Sequence, residues 1–368
     1  MRESWVVSEG CWCSKDNAVS QRLSKLRTAG YTVLFTVSFA AVSIAIRPDF
    51  STDRILQAKW DHWNRSGHQY DAVFFGSSRI YRAFNPREFT AALPSDEQIR
   101  IFNFSVGSMR PCELSYQVER LLRHQPSRLR VVFIELMDWH PAFLSGMKEH
   151  QRTVDWHTPS AAWRAIGTEL PYVHSWQEGL ALWNQHLKLC FQRLVGFGTG
   201  PVWWKGRDLQ RAKRLESVMA FADGFVAFDQ ESAAFYGRRR REFLVKNGPV
   251  FRRQVAKIDS VNHQAGSLDR FDLMSQTALD RMLHESGLEV IYVIPNLRWG
   301  TPDLNELARQ RILKNIWSFN HVEMFPELYD EQNYFDRGHL NRAGAAYFSR
   351  RLAERYLVWR QSLKTNGQ

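Results

Sequence analysis

The chain has 368 residues, 44% of them hydrophobic and 13% aromatic, and its 49 Lys and Arg against 38 Asp and Glu give a net charge of +11. That length and apolar content are enough for one large globular domain or two small ones and exclude a disordered chain. The basic excess favours anionic neighbours such as phospholipid head groups, acidic glycans or nucleic acid. Neither a zinc-finger spacing nor an aromatic-basic ribonucleoprotein signature is present, so nucleic acid is not an expected partner.

In chain order, the first prominent segment is Gly30 to Ile46, GYTVLFTVSFAAVSIAI, which carries no charge. It is slightly shorter than the roughly 20 residues that cross a bilayer squarely, and it reads as a transmembrane anchor. A buried core helix or the apolar part of a cleaved leader are the alternatives, and a leader of 29 residues before the span argues against cleavage. Lys15, Arg22, Lys25 and Arg27 before the span, against Arg47, Arg54 and Lys59 after it, favour a topology with residues 1–29 in the cytoplasm and the remainder exported to the periplasm or the cell exterior. Of the four cysteines, Cys11 and Cys13 then lie inside and Cys112 and Cys190 outside. A Cys112–Cys190 disulfide is feasible there, although two buried small apolar side chains are the plainer expectation.

After a Trp-containing connector at 47–70, strand and helix patterns alternate. Asp71–Gly76, Ile99–Val106, Leu129–Leu136 and Leu288–Pro295 read as strands, and Cys112–His124, Arg270–Ser286, Leu304–Phe319 and Asn341–Leu363 as helices. Near-continuous apolar strands suit a sheet covered on both faces. The alternation predicts an α/β fold with a doubly wound parallel sheet of flavodoxin-like type, occupying 71–368. In such folds sites form beyond the carboxyl ends of strands, where Ser78, Gly107, Asp138 and Asn296 all fall. The interval at about 141–268 breaks the rhythm with six tryptophans and the basic run Arg238–Arg241. It reads as a large helical insertion, either a lid over the site or an elaboration whose tryptophans are core. The run itself suits phosphate or uronate binding, a solvated helix face being the default.

Two short segments carry the chemistry. Gly76-Ser77-Ser78-Arg79 follows an apolar strand, so Ser78 sits on a tight strand-to-helix turn with first-turn N–H groups available to a developing oxyanion. Asp336-Arg337-Gly338-His339 spaces an acid and an imidazole three apart, which on one helical turn places both on one side. A serine nucleophile, a base and an orienting carboxylate are thus available. Taken singly, Ser78 is explained by a helix cap and His339 by a surface histidine. Arg79 serves equally to steer an anionic substrate or to make a structural ion pair. Asp138 and His140 have no third ligand at a diagnostic spacing, so no metal is expected, and no other cofactor is implied. Gly196-Phe197-Gly198-Thr199-Gly200 follows no strand and is discounted as a nucleotide loop.

These segments resemble the SGNH/GDSL hydrolase superfamily, over about 71–140 and 288–356. The nucleophile block is FFGSSR with Ser78, the glycine block FNFSVGS with Gly107, and the last block DRGHLN with Asp336 and His339. The resemblance implies that Ser78 attacks an acyl carbonyl, His339 moves its proton, Asp336 holds the imidazole, and the backbone N–H groups of Ser78 and Gly107 hold the oxyanion. The family's asparagine block is replaced by Glu135-Leu136-Met137-Asp138-Trp139-His140. Loss of such a donor costs roughly 10²–10³ in rate, unless Asn296 or Ser108 substitutes. With its N-terminal span the chain looks closest to membrane-anchored SGNH-like proteins of cell-envelope polysaccharide acylation, of the alginate O-acetylation and teichoic-acid D-alanylation kinds. The implied activity is that of an esterase or O-acyltransferase on acyl, chiefly acetyl, esters of an envelope polysaccharide, with a membrane-bound O-acyltransferase as a partner. A catalytically weak or inactive glycan-binding or assembly factor, and a lipid esterase, are the competing readings.

Overall fold

The computed structural model describes residues 13–45, 53–124, 126–137, 151–196, 222–228, 233–268 and 270–366. A long helix α1 (Cys13–Ala45) is followed by α2 (Arg54–Ser66), which Asp53 caps by accepting from the N–H groups of Ile55 and Leu56. The apolar stretch at 30–46 lies mostly in α1, with Ile46 outside the described residues. No helix among the described residues is long and apolar enough to cross a membrane. Residues 54–69, expected as a connector, instead belong to the folded domain, because the apolar stripe of α2 buries Leu56, Trp60 and Trp63 against the sheet.

The sheet comprises β1 (Ala72–Phe75), β2 (Ile101–Asn103), β3 (Val131–Glu135), β4 (Glu289–Ile294) and β5 (Ile316–Ser318), all parallel, in the order β2-β1-β3-β4-β5. This is an α/β architecture compatible with a flavodoxin-like fold. The period of two along each strand divides the core. Val73, Phe75, Val132, Ile134, Val290 and Tyr292 face a layer built by α2, α5 (Pro111–Arg123), α12 (Arg270–Glu285) and α13 (Pro302–Arg309). Ala72, Phe74, Phe133, Ile291 and Val293 face the other, built by α3 (Ser78–Ala83), α4 (Pro86–Ala91), α10 (Gly248–Val255), α11 (Ile258–Asn262) and α14 (Arg342–Asn366). Burial on both faces explains why these strands read as continuous apolar runs.

The helix expected over Leu304–Phe319 ends at Arg309. Arg311 turns the chain with φ 54°, and Ile316-Trp317-Ser318 then pairs with Tyr292–Ile294 as β5. A β-branched and aromatic run close to a helical pattern was the signal for that edge strand.

Besides α10 and α11, the described elements of the insertion are α6 (Gln151–Trp156), α7 (Pro159–Glu169), α8 (Trp176–Val195), the segment 222–228, and α9 (Ala233–Glu242) with the π-helical turn Phe243–Asn247. Trp156 is core, Trp163 and Trp176 are exposed, and Trp203 and Trp204 lie outside the described residues. Cys112 and Cys190 are both free, and burial pushes the Cys112 thiol up to about 12. Gly196 caps α8 in the left-handed region at φ 65°, and 197–200 lie outside the described residues.

Candidate active site

The reversal of strand order falls between β1 and β3, where a doubly wound sheet opens a crevice. Ser77 and Ser78 follow β1 there, and Glu135 ends β3. The two serines divide the work of the turn. Ser77 is the N-cap of α3, its hydroxyl accepting from the Arg79 N–H at 3.3 Å, while Ser78 opens the helix and faces the cleft. The cap that could have explained Ser78 is therefore supplied by its neighbour. Gly76 matters for space: a Cβ there would lie 2.7 Å from Glu135 Oε2 and 2.9 Å from Ile80 Cβ, so the approach of β3 to the turn requires glycine.

His339 and Asp336 face each other by a route other than the expected helical turn. Asp336 ends β6 (Tyr334–Asp336) and His339 begins β7 (His339–Leu340); the antiparallel hairpin pairs the two residues across Arg337-Gly338. Asp336 Oδ1 accepts from His339 Nδ1 at 2.8 Å and from the Gly338 N–H at 2.8 Å. An ionised carboxylate is acceptor-only, so Nδ1 carries the proton and Nε2 is left to accept. Nε2 stands 2.9 Å from Ser78 Oγ. Phe228, from the insertion, packs edge-on to the imidazole at 4.8 Å. Burial alone would raise the Asp336 carboxyl, but the bond and charge of His339, the Gly338 N–H and Arg239 at 3.3 Å outweigh it and hold the group below the usual carboxylate range.

Glu135 was missed as a site residue, although a charge at the end of an otherwise apolar strand was a visible signal. Its carboxylate, 1% exposed, accepts from the Ser77 N–H at 2.5 Å and the Ser77 hydroxyl at 3.0 Å, with Arg79 Nη1 at 3.5 Å. Burial raises its pKa, against the attraction of Arg79, the two Ser77 bonds and His339. At the third strand end the structure thus places a buried carboxyl group that locks the Gly76–Ser78 turn. Asp138 and His140 lie outside the described residues.

The remaining expected residues divide. The Val106 N–H donates to the Gly76 carbonyl at 3.1 Å, which brings the Gly107 loop alongside the serine turn. The Gly107 carbonyl is held by Arg152 at 2.8 Å. Ser108 is exposed in the left-handed region at φ 57° and does not line the cleft. Asn296 does line it, but its amide nitrogen donates to the Tyr334 hydroxyl at 2.7 Å, so it is engaged in holding the hairpin. Arg79 lines the cleft, pairs with Glu135 at 3.5 Å and lies over Trp299 at 5.1 Å, so it makes the ion pair weighed for it.

Two buried anchors also escaped sequence reasoning. Lys59, fully buried on α2, donates to the carbonyls of Asn103, Ser105 and Gly224 at 2.6, 2.7 and 2.8 Å, tying the loop after β2 to the insertion. Arg152 on α6 joins Gly107 to Asp53 at 2.9 Å and approaches Glu113 at 2.9 Å. The run Arg238–Arg241 is also more than a solvated face, since Arg240 clamps the carbonyls of Glu331, Gln332 and Tyr334 beneath the hairpin. The cleft encloses about 440 Å³, and its lining includes Ser78 and His339 as well as Arg239, Glu242, Phe243 and Asn247 of the insertion. No metal-ligating cluster of three is present among the described residues.

Comparison with known proteins returns neither a matching family model nor a matching curated protein.

Proposed function

We propose that the protein is a serine-dependent acyl-ester enzyme of SGNH type, an esterase or O-acyltransferase. Its proposed substrates are acyl, chiefly acetyl, esters of a cell-envelope polysaccharide. The observation that carries this reading is the unbroken relay from Asp336 through His339 to Ser78, at 2.8 and 2.9 Å on the wall of a cleft. In the first half-reaction Ser78 Oγ bonds to the acyl carbon while His339 Nε2 takes the hydroxyl proton. Collapse of the tetrahedral intermediate breaks the ester bond, and the same nitrogen returns the proton to the departing alcohol oxygen. Asp336 keeps the tautomer and offsets the charge of the imidazolium. Water or a sugar hydroxyl then accepts the acyl group by the reverse sequence. Membrane attachment through the N-terminal helix, with an exported domain beside a membrane-bound O-acyltransferase, belongs to the same proposal. Its support is that α1 exposes apolar side chains from Leu23 to Val42, Phe35 being 71% accessible.

Hydrolysis of p-nitrophenyl acetate and of acetylated envelope glycans by the full-length chain in detergent tests the reading. Release of acetate by the wild type and its loss in Ser78→Ala is the expected result. Equal rates for the two proteins would overturn it, and faster turnover of long-chain than of acetyl esters would move the substrate to lipid.

A further inference from the structure

Outside α1, the exposed large apolar side chains among the described residues gather on α8 and its neighbour α7. On α8, Trp176, Leu180, Leu187, Phe191 and Leu194 are between 38 and 75% accessible. Their separations of 4, 7, 4 and 3 residues place all five on one narrow stripe of a helix with 3.6 residues per turn. Trp163 of α7, itself exposed, packs edge-on to Trp183 at 5.6 Å and widens the stripe. The other side of α8 is the one that faces the protein, where His186 is buried beside His157 of α6 and Glu169 of α7. Glu178, the one acid of α8, lies away from the stripe, and the exposed Lys188 flanks it.

A single exposed leucine needs no explanation, but a contiguous stripe of this kind marks a surface that something covers. Its position says what. α8 packs against α1, and α1 is exposed at every residue from 21 to 39 and first half-buried at Ala40. The two helices therefore meet near the end of the 30–46 apolar stretch, where the chain passes on to the folded domain. Among the described residues α1 alone is not apolar enough to cross a membrane, and a weak membrane attachment holds when a second acts beside it. Tryptophan, leucine and phenylalanine on one face of a helix, with a lysine at its border, suit the head-group region of a bilayer. The net charge of +11 draws the chain to anionic lipid.

We propose that α8, with Trp163 of α7, docks on the surface of a phospholipid bilayer, its apolar stripe inserted among the head groups at the face where α1 emerges. The inference rests on the membrane attachment proposed above for α1. It adds a second contact, made by the insertion, and two contacts fix the tilt of the domain where one leaves it free to swing.

The test reads the surroundings of a nitrobenzoxadiazole label placed singly by Leu187→Cys on the stripe, Ala181→Cys on the flank of the same helix, or Phe35→Cys in α1. The full-length protein, its four native cysteines changed to alanine, is reconstituted into vesicles of phosphatidylglycerol and phosphatidylethanolamine. The label at position 187 is expected to lose quenching by aqueous iodide and to gain quenching by a nitroxide lipid labelled near the head group, while the label at 181 stays open to iodide. Adding Phe191→Glu puts a charge into the inserted stripe and is expected to return iodide quenching to 187. Circular dichroism melting shows which variants have folded. Equal iodide quenching at 187 and 181, with 35 shielded, would overturn the docking of α8 and leave the attachment through α1 intact. A label at 35 that is also open to iodide would remove that attachment, and the docking with it. Shielding of 187 in native membranes but not in lipid vesicles would give the stripe to a protein partner and overturn the lipid proposal.

Discussion

The two walls of the cleft are built on different principles. On the sheet wall, Ser78 and the Asp336–His339 hairpin sit on short turns at strand ends, where the backbone fixes each side chain. Among the insertion residues, Arg239, Glu242, Phe243 and Asn247 come from a helix and a π-turn held by side-chain contacts, Arg240 to the 331–334 carbonyls and Phe243 against Tyr334. Reactive atoms need placement within a fraction of an ångström, which turns between buried strands provide. The insertion side needs shape and charge, which long side chains on a tethered helix can supply.

Substitutions separate these roles, the largest effect coming first. Ser78→Ala is expected to lower kcat on acetyl esters by about 10⁴-fold or more, and Asp336→Asn by about 10³-fold through the wrong imidazole tautomer. Steady-state kinetics beside unchanged melting curves would show that both act on chemistry alone; a kcat unaffected by Asp336→Asn would break the assignment of the hairpin. Arg152→Ala acts from the insertion on the fold, removing the cation beside Glu113, taking one partner from Asp53 and freeing the Gly107 loop. It should cost about 3–5 kcal/mol in denaturant unfolding, and a loss under 1 kcal/mol would contradict the anchoring role.

Glu135→Gln tests the link between the walls and the turn. The amide keeps the acceptor for the Ser77 N–H and removes a buried charge, so stability is expected to hold. Activity is expected to fall about 10-fold as the imidazolium loses a nearby anion. A variant as active as wild type would reduce Glu135 to a turn clamp. The last effect is on pH dependence and lies away from the cleft. His157, stacked between Trp156 and His186 in the insertion, is pushed down to about 3, mainly by burial and against the Thr153 carbonyl, from an ordinary 6.5. The unfolded chain therefore binds this proton first. The stability that neutral His157 confers is complete above pH 6.5 and is lost as pH falls towards 3, at up to about 1.4 kcal/mol per unit. Thermal melts of His157→Gln should show a shallower slope in that window; an unaltered slope would place the titration elsewhere.

The parts of this molecule that were legible in its sequence are those set by local pattern. Four of the five sheet strands were recognisable because burial on both faces leaves an apolar run. Ser78, Asp336 and His339 were found because a strand end and a short spacing mark them. The relay geometry itself was read wrongly, since a separation of three suits a tight hairpin as well as a helix, and only pairing with Tyr334–Asp336 decides between them. Lys59, Arg152 and Glu135 were not recognised because their partners are backbone atoms or residues 44 to 165, 39 to 99 and 56 to 58 positions away. A buried charge is identified by its surroundings, and those form only when the chain has folded.

The most direct measurement is covalent trapping. The full-length protein is treated with a fluorophosphonate, and its intact mass and tryptic map are read by mass spectrometry. A single adduct on Ser78, slowed strongly in His339→Ala and missing in Ser78→Ala, is the predicted result. A folded wild-type protein that stays unmodified, or an adduct on another serine, would contradict the account.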